Sequence, residues 1–284
     1  MGRLGDWRSP MRSGSIGGML DRAQRNVFDR SAPFYFSARP SYPTELFDDV
    51  VTISGLTPPG NLLEIGAGPG TATVDMARRG FRVTALELGP HLAEHARLNL
   101  AGHPGVSVMT AGFEEWAPPP AASYDLIYAA NAWHWLEPSV RWAKTASVLR
   151  PGGYLAIFGA SHAFPEGFDP FFIDLQAVYS EIGEGVDDWR PSPPQLTNGD
   201  LIDEAEASGH FHVVERRLLV WAVRYDADSY LRLLDTFSNH IVMEPPKREY
   251  LYAEVRRRLA QRVDGQLTRH WQSQLAIFQQ LPSA

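Results

Sequence analysis

The sequence predicts an α/β protein built on a parallel sheet, and three observations carry that expectation. Between residues 41 and 159, short apolar runs alternate with amphipathic stretches of helix length, which is the rhythm of βαβ units. A glycine-rich loop, Gly66-Ala67-Gly68-Pro69-Gly70, separates the first of these apolar runs from the helical pattern after it. The composition is globular, 44% hydrophobic and 21% charged over 284 residues, enough for one large domain with insertions.

In chain order, the expected strands are 61–65, 82–87, 106–110, 125–129 and 154–158, with helices over 71–79, 91–100 and 139–149. Pro151-Gly152-Gly153 is expected to stop the last of these helices and turn the chain into the next strand. Beyond residue 158 the rhythm changes. Residues 162–194 are rich in Phe, Pro and acidic side chains, with one helix near 170–182, and a further helix near 198–208 ends at Gly209. A long strand over 211–225, helices near 227–237 and 247–263, and a last strand over 267–278 complete the chain. There is no internal repeat and no linker long enough to divide the protein. A single domain with C-terminal insertions is therefore expected.

Charge and composition narrow the chemistry. The net charge is −7, which disfavours a nucleic-acid partner, since phosphate backbones repel an acidic surface. The one basic run, Arg256 to Arg258, falls on an expected amphipathic helix and reads as a solvated face. With no cysteine, disulfides, zinc–thiolate sites and cysteine nucleophiles are excluded. No apolar run approaches the roughly 20 residues that span a bilayer, and the N-terminal residues lack the apolar core of a signal peptide. A cytoplasmic protein with no membrane partner and a mobile leader over residues 1–20 is the expectation. His91 and His95 stand four apart, and His210 and His212 alternate on a strand. Neither pair has a third ligand at recognisable spacing, so no metal site is expected.

The segment LLEIGAGPGTAT, residues 62–73, carries the most information. Its glycines let a ligand approach the backbone, and the helix that follows points its first amides toward the same place. A dinucleotide loop would put a third glycine at position 71, where this chain has Thr71, and a Walker loop needs a Gly-Lys-Ser/Thr that is absent. Glu64, just before the loop, suits a ligand with a cationic amino group better than a pyrophosphate. Nineteen residues after Gly68 comes Glu87, at the end of the next expected strand, where a carboxylate can accept hydrogen bonds from a ribose diol.

From about residue 35 to 158, and more loosely to the C-terminus, the chain resembles the class I S-adenosylmethionine methyltransferases. The similarity rests on Glu64-x-Gly66-x-Gly68-x-Gly70, on Glu87, on Gly112-Phe113-Glu114-Glu115-Trp116 and on Asp125. Asn131-Ala132-Trp133-His134-Trp135 and Leu149-Arg150-Pro151-Gly152-Gly153 extend it. Upstream, Tyr35 and Arg39-Pro40-Ser41-Tyr42-Pro43 resemble a bacterial small-molecule branch similar to trans-aconitate methyltransferase.

The resemblance implies a Rossmann-like, doubly wound, mostly parallel seven-stranded sheet with helical C-terminal insertions. Residues 21–45 would form a lid segment and 46–160 the S-adenosylmethionine-binding core. Residues 161–284 would supply the rest of the core and the acceptor pocket. Glu64 and the backbone of Gly66, Ala67, Gly68 and Gly70 would hold the methionine part of the cofactor. Glu87 would take the ribose hydroxyls, Leu88 would pack on the adenine, and Phe113 and Glu114 would lie at the adenine edge. Many relatives carry an aspartate at the position of Gly112, so adenine recognition here falls to backbone groups or Glu114. Asn131 would meet the cofactor's amino group through its carbonyl. Tyr35 and Arg39 would belong to the lid, with Arg39 either available to a carboxylate or tied into a cap or surface ion pair.

Methyl transfer from a sulfonium requires in-line alignment, and a hydroxyl acceptor also benefits from a base. The best-placed base is His134, which could equally be a packed, hydrogen-bonded residue between two tryptophans. Thr236-Phe237-Ser238-Asn239-His240 reads as a helix end and turn that could also line the acceptor pocket. The expected partner is a small-molecule acceptor, carboxylate-bearing or aromatic. The alternatives are a nicotinamide-dependent oxidoreductase on the same frame, against which Thr71 and Glu64 argue, and a cofactor-binding protein without turnover.

Overall fold

The fold was obtained as a computed structural model, which describes residues 39–119, 123–186 and 188–282. The expected leader and Tyr35 lie outside the described residues. The first element is a helix that the sequence pattern does not announce, α1 (Thr44–Ile53). Its Val-Val-Thr-Ile end favours a strand by propensity. Burial of Leu46, Phe47 and Val50 against the sheet overrides that preference.

Five parallel strands follow in alternation with helices: β1 (Asn61–Ile65), α2 (Thr71–Arg78), β2 (Arg82–Glu87), α3 (Pro90–Asn99), β3 (Val106–Thr110), β4 (Tyr124–Ala130), α4 (Pro138–Val148) and β5 (Leu149–Phe158). A 3₁₀ turn, Trp133–Trp135, precedes α4. The expected stop at Pro151-Gly152-Gly153 lies inside β5. The strand pairs from Leu149, shifts register opposite Tyr124 and Leu126, and takes Gly152 through a positive φ of 71°. The turn is thus absorbed as an irregularity in the ladder.

Sheet order is β3-β2-β1-β4-β5-β8, with β8 (Gln266–Gln280) antiparallel to β5. β6 (Ala160–Ala163) continues along the same side of β8 after a break at Gly159, and β7 (Phe211–Asp226) pairs with the other side of β8 over its whole length. The count is therefore eight strands in place of the expected seven, because β5 and β6 are two pieces of one track.

Strand residues alternate between two cores, as the period of two requires. Leu62, Leu126 and Tyr128 pack with α1 and α2 on one face, and Leu63, Ile65, Ile127 and Ala129 pack with Trp133 and Trp142 on the other. β8 reaches well past the part that β5 covers. On that extension α5 (Phe171–Glu181), α7 (Ala227–Leu234) and α9 (Pro245–Ala260) close a third core around Trp271. α6 (Gly199–Ala207) packs near the start of β7, and α8 (Ser238–Ile241) is a single turn after α7.

Candidate active site

The C-terminal ends of the parallel strands open onto a cavity of about 460 Å³. It sits where the connections leave β1 toward β2 on one side and β4 on the other, the crevice that a doubly wound sheet cannot cover with its own loops. From Glu87 on β2 to Trp271 on β8 it crosses four strand spacings, about 19 Å.

The floor is the glycine loop. Gly66 turns with φ 68°, and a Cβ there would stand 2.5 Å from the Ala132 Cβ, so the loop after β4 rests directly on it. Ala67 and Gly68 also line the cavity. Gly70 does not: at φ 87° it starts α2 and leaves room for the Leu100 side chain beneath. Its role is to make the turn.

Glu64 is 1% exposed. Its Oε2 accepts hydrogen bonds from Thr73 Oγ1 at 2.5 Å and Tyr128 OH at 2.8 Å, whereas Oε1 is buried with no partner. Burial pushes its pKa up to about 7; the two hydroxyl bonds oppose that rise and the nearby Glu87 adds to it. A cavity-facing carboxylate with one unsatisfied oxygen is suited to a cationic partner.

Glu87, at the end of β2, accepts from the Gly68 amide at 2.7 Å and the Gly89 amide at 2.8 Å. The same carboxylate thereby pins the glycine loop to β2 and faces the cavity. Leu88 beside it is 45% exposed, an apolar surface at the cavity wall, and Phe113 is buried behind the opposite edge. Glu114 turns its Oε1 to the Glu137 amide at 3.2 Å. At Gly112 the missing side chain is filled from elsewhere: a Cβ would lie 2.6 Å from Glu115 Oε2. Glu115 is thus the carboxylate nearest the place where relatives are expected to carry an aspartate.

Asn131 follows β4 with a positive φ of 56°, a conformation asparagine tolerates better than most residues. Its Nδ2 donates to Tyr42 OH at 2.8 Å and its Oδ1 accepts from the Ala160 amide at 3.0 Å. It therefore ties the cavity rim to β6 and to the N-terminal segment. His134 lies on the 3₁₀ turn, exposed and lining the cavity, with its ring 4.8 Å from that of Trp135. Arg39 lines the far end, where its Nε and Nη2 reach Thr236 and its guanidinium lies 4.9 Å from the Phe237 ring centroid. Thr236 donates to the Leu233 carbonyl after α7, as a helix end and turn requires, and His240 is buried against Tyr179.

Residues 63–157 match the family model described as a methyltransferase domain. An uncharacterized methyltransferase of Mycobacterium bovis is 32% identical over 130 residues, covering 46% of this chain and 50% of that protein. A trans-aconitate 2-methyltransferase of Rhodopseudomonas palustris is 30% identical over 112 residues, covering 38% and 42%. A solved structure from Anaeromyxobacter dehalogenans, assigned as a type II methyltransferase, superposes with a TM-score of 0.59 at 25% identity over 86% of this chain and 99% of that one. Residues 63–157 are thus similar to a methyltransferase domain, and the chain shares its fold with a solved structure assigned as a methyltransferase. It spans about half the length of the curated relatives it matches.

The matched part of the chain contains Glu64, Glu87, Phe113, Glu114, Asn131 and His134, whereas Arg39, Tyr42, Ala160 and Trp271 at the other end of the cavity lie outside it. Sequence reasoning did not single out Tyr42, Glu115, Ala160 or Trp271 for the site. For Trp271 one signal was available, in that Leu267, Arg269 and Trp271 share the buried parity of the last strand. Among the described residues, no group of three or more His, Asp or Glu side chains converges in a way that could hold a metal.

Proposed function

We propose that this chain transfers a methyl group from S-adenosylmethionine to a small-molecule acceptor by in-line displacement. The observation that carries the reading is the buried Glu64 with its unpartnered Oε1, set beside a glycine loop and facing a cavity that also holds Glu87. A pyrophosphate would meet these two carboxylates unfavourably, whereas an amino group and a ribose diol would be welcomed by them. That asymmetry favours the sulfonium nucleoside over a nicotinamide dinucleotide.

When bound, the cofactor supplies an electrophilic methyl group. Glu64 and the carbonyl of Asn131 would orient its amino group, Glu87 its ribose, and Leu88 with Phe113 its adenine, with Glu114 or Glu115 at the adenine edge. Tyr42 and Asn131 hold the rim that separates this half of the cavity from the acceptor half. Alignment is the main service such a site provides. Where the acceptor is a hydroxyl, His134, which lines the cavity, would receive its proton; where it is a carboxylate, no base is needed.

Calorimetric titration of the full chain with S-adenosylmethionine, S-adenosylhomocysteine and NAD tests the cofactor. Binding of the first two and not the third is the expected result, and binding of NAD alone would sink the reading. Glu87→Ala should weaken S-adenosylhomocysteine binding by about 1–3 kcal/mol through lost charge-assisted bonds and a loosened loop. Unchanged affinity would remove Glu87 from the site. With labelled cofactor and an acceptor that turns over, His134→Ala should cut kcat roughly 100-fold with cofactor affinity little changed. A drop below about threefold would leave the histidine a structural role only.

A further inference from the structure

The third core holds a cation without a counter-ion. Among the described residues, the two arginines buried below a tenth of their surface are Arg141 and Arg269, both 7% exposed. Arg141 pairs with Glu204. Arg269 has only neutral partners. Its Nε donates to His162 Nδ1 at 3.0 Å and its Nη1 to Tyr230 OH at 3.0 Å. Its guanidinium carbon lies 5.2 to 5.7 Å from the ring centroids of Phe172, Tyr230, Phe237 and Trp271. His162 cannot supply a negative charge, and three acids of this layer are engaged elsewhere. Asp169 is held by Arg262 and the Thr268 amide, Glu184 by Lys247, and Asp235 by Tyr252.

A buried guanidinium normally keeps a carboxylate, because desolvation of the charge is otherwise uncompensated. Here aromatic faces cover it on several sides, which stabilises a cation, while one edge of the fork is left unused: Nη2 makes no hydrogen bond among the described residues. Its surroundings connect this cage to the cavity. Trp271, two residues along β8, lines the cavity, and so does Arg39, which packs on the same Phe237 ring as Arg269.

Resting on the methyltransferase reading, we propose that the acceptor carries a carboxylate and that Arg269, just behind the lining residue Trp271 and remote from Glu87, is its specificity-determining anchor. The planar fork left open on Arg269 matches two carboxylate oxygens. A phosphate would fit the same fork, and comparison with inorganic phosphate separates the two.

Thermal melts of the full chain in malonate or benzoate, against equal ionic strength of chloride and against benzamide, read this directly. The carboxylates should raise Tm by about 3 °C or more at concentrations well above their Kd, and chloride and benzamide should not. Arg269→Met should abolish the shift while leaving the ligand-free Tm equal or higher, since it removes an uncompensated charge. Arg269→Lys keeps the charge without the fork. It should weaken carboxylate binding about tenfold and leave S-adenosylhomocysteine affinity within about twofold. Equal shifts with benzamide, a larger shift with inorganic phosphate, no shift with either carboxylate, or an Arg269→Met chain that melts far lower or does not fold would each overturn the proposal. Failure of S-adenosylhomocysteine to bind would instead strike at the methyltransferase reading, because the carboxylate melts are run without it.

Discussion

Glu64→Gln is expected to weaken S-adenosylmethionine binding by about 4 kcal/mol, roughly a thousandfold, because it strips the charge that faces the ligand's amino group in a buried site. The same substitution should stabilise the ligand-free protein at pH 8 by about 3 kcal/mol. Burial raises the folded pKa of Glu64 to about 7, above the ordinary value of 4.5. The folded state therefore holds the proton more tightly than the unfolded one, and stability falls as pH rises from about 4.5 to about 7. Above that window the penalty of the buried charge is complete, and glutamine escapes it. Below about pH 4 the two chains should be equally stable.

Cofactor affinity of the unsubstituted chain should decline as pH drops below about 7, since Glu64 must lose its proton to receive an ammonium group. In the variant that slope should vanish. Calorimetry between pH 5.5 and 8.5, with urea melts at the two ends, measures all three effects. A variant that binds within about fivefold of the original would show that Glu64 does not contact the ligand.

Gly66→Ala is expected to destabilise the fold by about 3 kcal/mol and to abolish detectable cofactor binding. Two causes add. The residue sits at φ 68°, where a side chain is strained, and its Cβ would lie 2.5 Å from the Ala132 Cβ. The second cause can be removed by itself. Ala132→Gly in the same chain should recover about 1–2 kcal/mol of the loss, leaving the backbone strain behind. Denaturant melts of the two single variants and the double variant decide it, and strict additivity would mean that the loop after β4 does not rest on Gly66.

The two effects concern the part of the site that was legible in the sequence. Glu64, Gly66 and Glu87 are fixed by short-range constraints: a strand end, a loop that needs positive φ, and the next strand end in a βαβ unit. Such constraints repeat in a small window of chain, so spacing alone exposes them. The βα elements from β1 to β5 were legible for the same reason, as each is an apolar run of the right length between turn residues. Helix α1 was not, because its β-branched end argues locally for a strand and only the sheet it covers makes it helical. Gly112 was legible as a departure, but the carboxylate that fills its place, Glu115, depends on how the loop after β3 folds back.

The other end of the cavity belongs to tertiary structure. Arg39, Phe237 and Arg269 are separated by as many as 230 residues and meet on one aromatic ring. No window of sequence contains them together. Arg269 at a buried position of the last strand signals a cation that must be satisfied. Whether its partner is an acid of the chain or a ligand depends on which carboxylates the fold brings within reach, and here Asp169, Glu184 and Asp235 are each held by another group. The sequence by itself determined the sheet, the crevice and the two carboxylates beside the glycine loop, because those follow from local periodicity and the geometry of strand-to-helix turns. Only the tertiary structure decided what closes the other end of the crevice, because the charge balance of a buried site is a sum over side chains that sequence distance does not order.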